Sequence, residues 1–222
     1  GEERGLTAVL GQLADRDRDP IVQHAVLAAL GEGNIVKKGD GRAITAVCRC
    51  LGRCPKLDYE IFVCFWYIAE KGDKSFIAAL GSVLDGYGNC RNWASDLGEH
   101  GWLGKVLRDS EVADNDDVSL ITVVCARLEN DNNKVRCAAV QALCQVVSSG
   151  NECSISEVCS RLEHRHFGVR QTALEALLRI AKKGDQRAIS ATRARLRDRS
   201  RAVREVAKRV LHRLQVREVA KR

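Results

Sequence analysis

Arg136, Arg170 and Arg204 stand 34 residues apart, each following a Val. They open three segments that align without gaps, "VRCAAVQALCQVVSSGN" from 135, "VRQTALEALLRIAKKGD" from 169 and "VREVAKRVLHRL" from 203. Earlier copies read "IVQHAVLAALGEGNIVKKGD" from 21, with three residues inserted before its Gly-Asp, and "LDYEIFVCFWYIAEKGD" from 57. After each Gly-Asp or Gly-Asn comes a second motif, with Ile five and Leu twelve residues beyond the Gly: Ile44/Leu51, Ile77/Leu84, Ile155/Leu162 and Ile189/Leu196. Ile121/Leu128 fits the same frame with Asp116 in place of the Gly. A fixed period of this length marks a stack of like units, and it outranks any local signal in setting the fold.

Within a unit the apolar spacing is helical. Val169, Ala173, Leu174, Leu177, Ile180 and Ala181 fall on one helical face, and Ile189, Thr192 and Leu196 on a face of the next helix. Each unit is therefore expected to be two antiparallel helices that bury their stripes against neighbouring units. First helices are expected to start near 2, 40, 73, 117, 151 and 185, and second helices near 20, 56, 92, 134, 168 and 202. The expectation is an all-α solenoid of about six helix pairs, a single array over 1–222. Two stretches depart from it: an irregular insertion at 86–115 and a basic terminal cap at 187–222.

The joints carry their own chemistry. Gly39, Gly72 and Gly184 sit just past a helical stripe, where a left-handed residue ends a helix. Asp40, Asp73 and Asp185 precede the next stripe, where a carboxylate oxygen caps free N–H groups. Lys37-Lys38 and Lys182-Lys183 fall in the last turn, where the helix dipole favours cations. Gly150-Asn151 fills the same place with neither Lys nor Asp, so Lys-Lys-Gly-Asp reads as a joint rather than a recognition signal.

The pattern Gly184-Asp185, Arg187-Ala188-Ile189, Leu196, Asp198 and Val203-Arg204, with matching sets earlier in the chain, resembles the HEAT-like repeat, in particular the short form named after phycobilisome lyases. The likeness covers most of the chain and weakens between 86 and 115. It implies an armadillo-like helical array. Its functional implication is broad, because the family hosts scaffolds, chromophore lyases, a metal-dependent hydroxylase and nucleic-acid-binding proteins.

No reaction is legible. The hydroxylases of the family use four symmetrically placed His-Glu pairs. This chain has the reverse order twice, Glu99-His100 and Glu163-His164 with His166, in non-equivalent positions. Cys48-x-Cys50-x₃-Cys54 lacks the second ligand pair of a zinc site. No Ser-His-Asp, phosphate-loop or dinucleotide pattern occurs. No catalytic residue, metal or cofactor is therefore expected. The ten cysteines often stand where other units carry Ala or Leu, which suits free thiols in an intracellular, reducing compartment better than a disulfide framework. The longest apolar run, nine residues at 61–69, is too short to cross a bilayer. The chain contains no Met and begins at Gly1, so a targeting segment removed before residue 1 is compatible with it, and cytosol and organelle are not distinguished.

Charge is uneven. Residues 187–222 hold 13 Lys and Arg against 3 Asp and Glu, a balance of +10; the whole chain is +7, which leaves −3 for residues 1–186. Arg193, Arg195, Arg197, Arg199 and Arg201 alternate along one helix end and its turn, and Arg209 and Arg213 continue on the last helix. Conversely, 109–117 holds five acids. Recurring Asp/Arg sets, Asp131/Arg136 and Asp198/Arg204, are expected to form a ladder of ion pairs between adjacent turns.

The expected function is a non-catalytic protein–protein interaction scaffold or peripheral subunit of an assembly. Contact candidates are Gln141, Gln145, Gln171, Glu175 and Arg179 on second helices and Tyr87, Trp93 and Trp102 of the insert, which reads either as a binding loop or as a drifted repeat. The alternative is binding of an anionic partner (acidic protein, nucleic acid or membrane surface) through the arginine-rich unit. A chromophore-lyase-like enzyme is the third reading. "VREVAKR" occurs at 203–209 and again at 216–222, off the repeat period, and suggests an extended last helix.

Overall fold

A computed structural model describes residues 2–14, 20–32, 36–48, 61, 63–64, 67–70, 73–86, 107 and 116–215. Every regular element among them is helical, and no helix among them is long and apolar enough to cross a membrane. The chain divides into two compact units, 1–114 and 115–222.

In the first unit the described helices are α1 (Glu2–Ala14), α2 (Pro20–Glu32), α3 (Gly41–Cys48) and α4 (Lys74–Gly86). α1 packs on α2 and α3, and α3 on α4. Leu13, Leu27, Leu30, Ile44, Val47, Phe76, Leu80 and Leu84 form the buried side. Asp40 accepts from the Arg42 and Ala43 N–H groups at 2.9 and 3.4 Å, and Asp73 from those of Ser75 and Phe76 at 2.7 and 3.1 Å.

The second unit is three consecutive helix pairs: α5 (Val118–Ala126) with α6 (Asn133–Val146), α7 (Glu152–Ser160) with α8 (Phe167–Ile180), and α9 (Gln186–Ala194) with α10 (Arg201–Gln215). α6, α8 and α10 pack in one layer, and α5, α7 and α9 in the other. This is an α-solenoid. The helices begin within a residue or two of the positions expected from the period. Each first helix tightens into a 3₁₀ turn at 127–129, 161–163 or 195–197, and Leu128 and Leu162 are buried at the first two of these turns. Leu196, at the third, is half-buried.

The expected face of α8 is buried at Val169, Ala173, Leu174, Leu177 and Ile180. Thr172 and Ala176 are buried too, because α8 is sandwiched between α6 and α10. A stripe read from one sequence identifies one flank; a stacked helix has two.

The joints form by the expected geometry at their left-handed residues and caps, but the lysines do not fall in the last helical turn. α8 ends at Ile180 and α2 at Glu32, so Lys182-Lys183 and Lys37-Lys38 lie in the turns beyond, and Gly72 lies outside the described residues. Gly39, Gly150 and Gly184 have φ of 84°, 83° and 82°, and Asp116 holds φ 72° where the others have Gly. Asp117, Asn151 and Asp185 cap α5, α7 and α9 by accepting from the N–H groups of Leu120, Ser154 and Ala188 at 3.0, 2.8 and 2.8 Å. The left-handed residues of the second unit also donate their own N–H to a carbonyl near the end of the following second helix, Asp116 to Val146 at 3.0 Å, Gly150 to Ile180 at 2.7 Å and Gly184 to Leu214 at 2.9 Å, and Gly39 donates likewise to the Ile68 carbonyl at 2.7 Å. That bond satisfies one of the free carbonyls at a helix C-terminus and ties the joint to the pair that follows it.

Candidate interaction surface

The periodic arginines are consumed by the stack. Arg136, Arg170 and Arg204 each donate Nη1 to two carbonyls of their own turn, six and five residues back: Asn130 and Asp131 (2.8 and 2.9 Å), His164 and Arg165 (2.8 and 2.9 Å), and Asp198 and Arg199 (2.7 and 3.1 Å). The expected ladder of ion pairs reduces to one bidentate rung among the described residues. Arg170 donates Nη2 and Nε to Asp198 Oδ1 and Oδ2 at 2.7 and 2.8 Å. Position 164, one period before Asp198, is a His, so Arg136 turns instead to Asn133 Oδ1 at 2.9 Å and Thr172 Oγ1 at 3.4 Å. Asp131 contributes its backbone carbonyl to Arg136. The Arg170 hydrogen bonds hold the Asp198 carboxyl below its ordinary range.

A second cross-link arises at the 3₁₀ turns. Arg161 donates Nε to the Cys125 carbonyl at 3.0 Å and pairs with Glu129 at 3.2 Å. One period on, Arg195 donates Nη1 to the Leu162 carbonyl at 3.0 Å and Nη2 to Glu163 Oε1 at 2.6 Å. Arg195 thus faces the preceding repeat, with its side chain 18% exposed, whereas Arg193, Arg197, Arg199, Arg201, Arg209 and Arg213 are exposed. The signal for this link is the repeated Arg-Leu at 127, 161 and 195.

On the second helices the expected contact residues form a row across two repeats. Arg179 donates to Gln141 Oε1 at 3.1 Å, and Gln171 donates to Glu175 Oε1 at 3.3 Å. Gln141, Gln171 and Glu175 are half-buried, and Arg179 is exposed. The half-buried thiols of Cys137 and Cys144 flank the row, and burial pushes both pKa values up. The same cause raises the Cys159 thiol to about 11 and the buried Cys125 thiol to about 12. Such thiols are poor nucleophiles at neutral pH.

Three clefts lie on the last two helix pairs. A cleft of about 980 Å³ is lined by Arg179, Lys182, Lys183, Arg193 and Arg213 among others, with no acidic residue among the described residues of its lining. A second, of about 470 Å³, lies by Arg165, Arg197 and Arg199, and its two acids, Glu163 and Asp198, are paired to Arg195 and Arg170. A third, of about 470 Å³, is lined by Arg193 and Arg197.

Among the described residues no three His, Cys, Asp or Glu side chains gather as a metal site. Glu163 pairs with Arg195, and His164 Nδ1 accepts from the His166 N–H at 3.1 Å. Tyr87, Trp93, Trp102, Glu99-His100, Cys50, Cys54 and the second "VREVAKR" copy lie outside the described residues.

Residues 121–212 match the family model for HEAT repeats. No curated protein matches the chain. Among solved structures, human deoxyhypusine hydroxylase in complex with glycerol is 15% identical, with 96% of each chain covered and a TM-score of 0.39. The designed armadillo repeat protein YIII(Dq)4CqI is 14% identical over 94% of this chain and 99% of that one, with a TM-score of 0.36. The designed armadillo repeat protein YIII(Dq.V1)4CPAF in complex with the peptide (KR)4 is 15% identical over 94% and 98%, with a TM-score of 0.37.

Proposed function

We propose that the chain, whose residues 121–212 match the family model for HEAT repeats, is a non-catalytic protein–protein interaction scaffold, or a peripheral subunit of a larger assembly. The observation that carries this reading is the row of Gln141, Gln171, Glu175 and Arg179. These side chains cross two repeats, hold one another in place and keep donors and acceptors at the surface. Pre-ordered polar side chains on rigid helices cost little further entropy when a partner docks. The periodic arginines, by contrast, have their donors turned inward.

Two further points support the reading. The first unit carries the same left-handed joint as the second, at Gly39, so both are built of the same kind of repeat. Six described cysteines are free, as in a protein of a reducing compartment.

The test is capture by the tagged full chain in extract from the source cell, with partners identified by mass spectrometry. Glu175→Arg reverses the charge at the centre of the row and is expected to remove at least one captured protein. Thr122→Ala, on the first-helix layer, is expected to leave the set unchanged. Identical sets from the parent and Glu175→Arg would overturn this reading.

A further inference from the structure

We propose that a basic track along α9 binds an acidic peptide segment of a partner protein, an inference that rests on the scaffold reading and gives that partner its chemistry. The track is continuous because the clefts share walls. Arg193 lines the first and third clefts, and Arg197 the third and second. The two are four residues apart, and so lie on one face of α9 and the turn that continues it. From Gln186 to Arg197 the helix and its 3₁₀ turn run about 20 Å at 1.5–2 Å per residue. An extended peptide covers that length in about six residues.

Six cations on this track are uncommitted among the described residues. Lys182, Arg193 and Arg213 line the first cleft, and Arg165, Arg197 and Arg199 the second. None of these six side chains makes a hydrogen bond or ion pair with another described residue. Both acids among the described residues of the clefts are already paired, to Arg195 and Arg170. Close-set positive charge without counter-charge lowers stability by self-repulsion, and an anionic ligand removes that cost. The periodic arginines on the same helices show what these side chains do when their role is structural, since they find carbonyls or carboxylates within 3.2 Å.

The class of anion follows from the rest of the lining. Half-buried Leu178 and Leu196 sit among the cations, and Ser149, Ser190 and Gln186 offer neutral hydrogen-bonding groups. A peptide with acidic and apolar side chains satisfies all three kinds of site. Single-stranded nucleic acid is held by aromatic platforms on which bases stack, and among the described residues no Phe, Tyr or Trp lines any of the three clefts.

The experiment is fluorescence anisotropy with the full chain and two labelled probes, a peptide of repeated Glu-Glu-Leu and an oligothymidylate of equal charge. The peptide is expected to bind, to weaken as salt shortens the range of the attraction, and to bind more tightly than the oligothymidylate. Arg193→Glu with Arg197→Glu is expected to weaken peptide binding by about tenfold or more, because like charges then face each other. Arg209→Glu, which lines none of the clefts, is expected to change it by less than about threefold through screened long-range charge alone. If the Glu pair fails to fold by circular dichroism, Arg193→Gln with Arg197→Gln replaces it, and a loss above that of Arg209→Glu is expected. Tighter binding of oligothymidylate, no peptide binding, or equal losses in the track and Arg209 variants would overturn the proposal. A track variant that loses the peptide probe with neither partner nor row affected supports it. If the peptide fails while Glu175→Arg still removes a captured protein, this proposal falls and the scaffold reading stands.

Discussion

Asp198 is a carboxylate with its side chain only 3% exposed, held against the Arg170 guanidinium by two hydrogen bonds. Its pKa is lowered, first by those bonds. A group whose folded pKa is depressed contributes stability above its unfolded value, near 3.9, and loses it as pH falls through the folded value. Asp198→Ala leaves Arg170 without its partner and is expected to cost about 3 kcal/mol at pH 7. Urea unfolding followed by circular dichroism checks this, and the gap between parent and variant is expected to close below about pH 4. A gap that persists undiminished at pH 2.5 would mean that the carboxylate charge is not what the variant lost. Neighbouring sequence gave no hint that Asp198 alone completes a rung. The rung depends on what stands one period earlier, at His164, and on the direction in which Arg170 leaves its helix.

At the scale of the element, most of the fold was legible before any coordinates. Helix starts, left-handed joints and capping Asp and Asn residues depend on local chemistry, and local chemistry is written in the order of residues. Asp116 shows how far this goes. The period alone put it in a glycine's place, and its φ of 72° agrees. Asp and Asn tolerate that region better than Ala. Gly184 has open space around the position of a Cβ, so only backbone strain acts there. Gly184→Ala is expected to cost about 1 kcal/mol and Gly184→Asn less, a ranking that thermal melts can read; Asn costing more than Ala would contradict it. The inward turn of Arg195 was not legible. Alternation along Arg193–Arg201 shows which residues are basic, but not which neighbour each one faces. The 3₁₀ turn at 195–197 swings Arg195 towards Leu162 and Glu163 and leaves Arg193 and Arg197 outside. The aromatic insert and its candidates lie outside the described residues, so the outcome there belongs to sequence alone.

For the whole molecule, recurrence in all three repeats of the second unit separates the two kinds of arginine. A side chain needed at every joint recurs every 34 residues and is spent on carbonyls and carboxylates of the stack. A side chain that does not recur, such as Arg193 or Arg197, is left at the surface with its charge unmet. The net positive balance of the chain is therefore concentrated in one repeat, beside a polar row on the second helices. Thermal denaturation of two variants tests this division most directly. Arg170→Ala removes a periodic arginine and strands the Asp198 carboxylate; it is expected to lower the melting temperature by about 12 °C or more, given about 3 kcal/mol lost from a unit of roughly 100 residues. Arg193→Ala with Arg197→Ala is expected to leave it within about 2 °C, as surface changes do. A double variant that melts as far below the parent as Arg170→Ala would contradict the account.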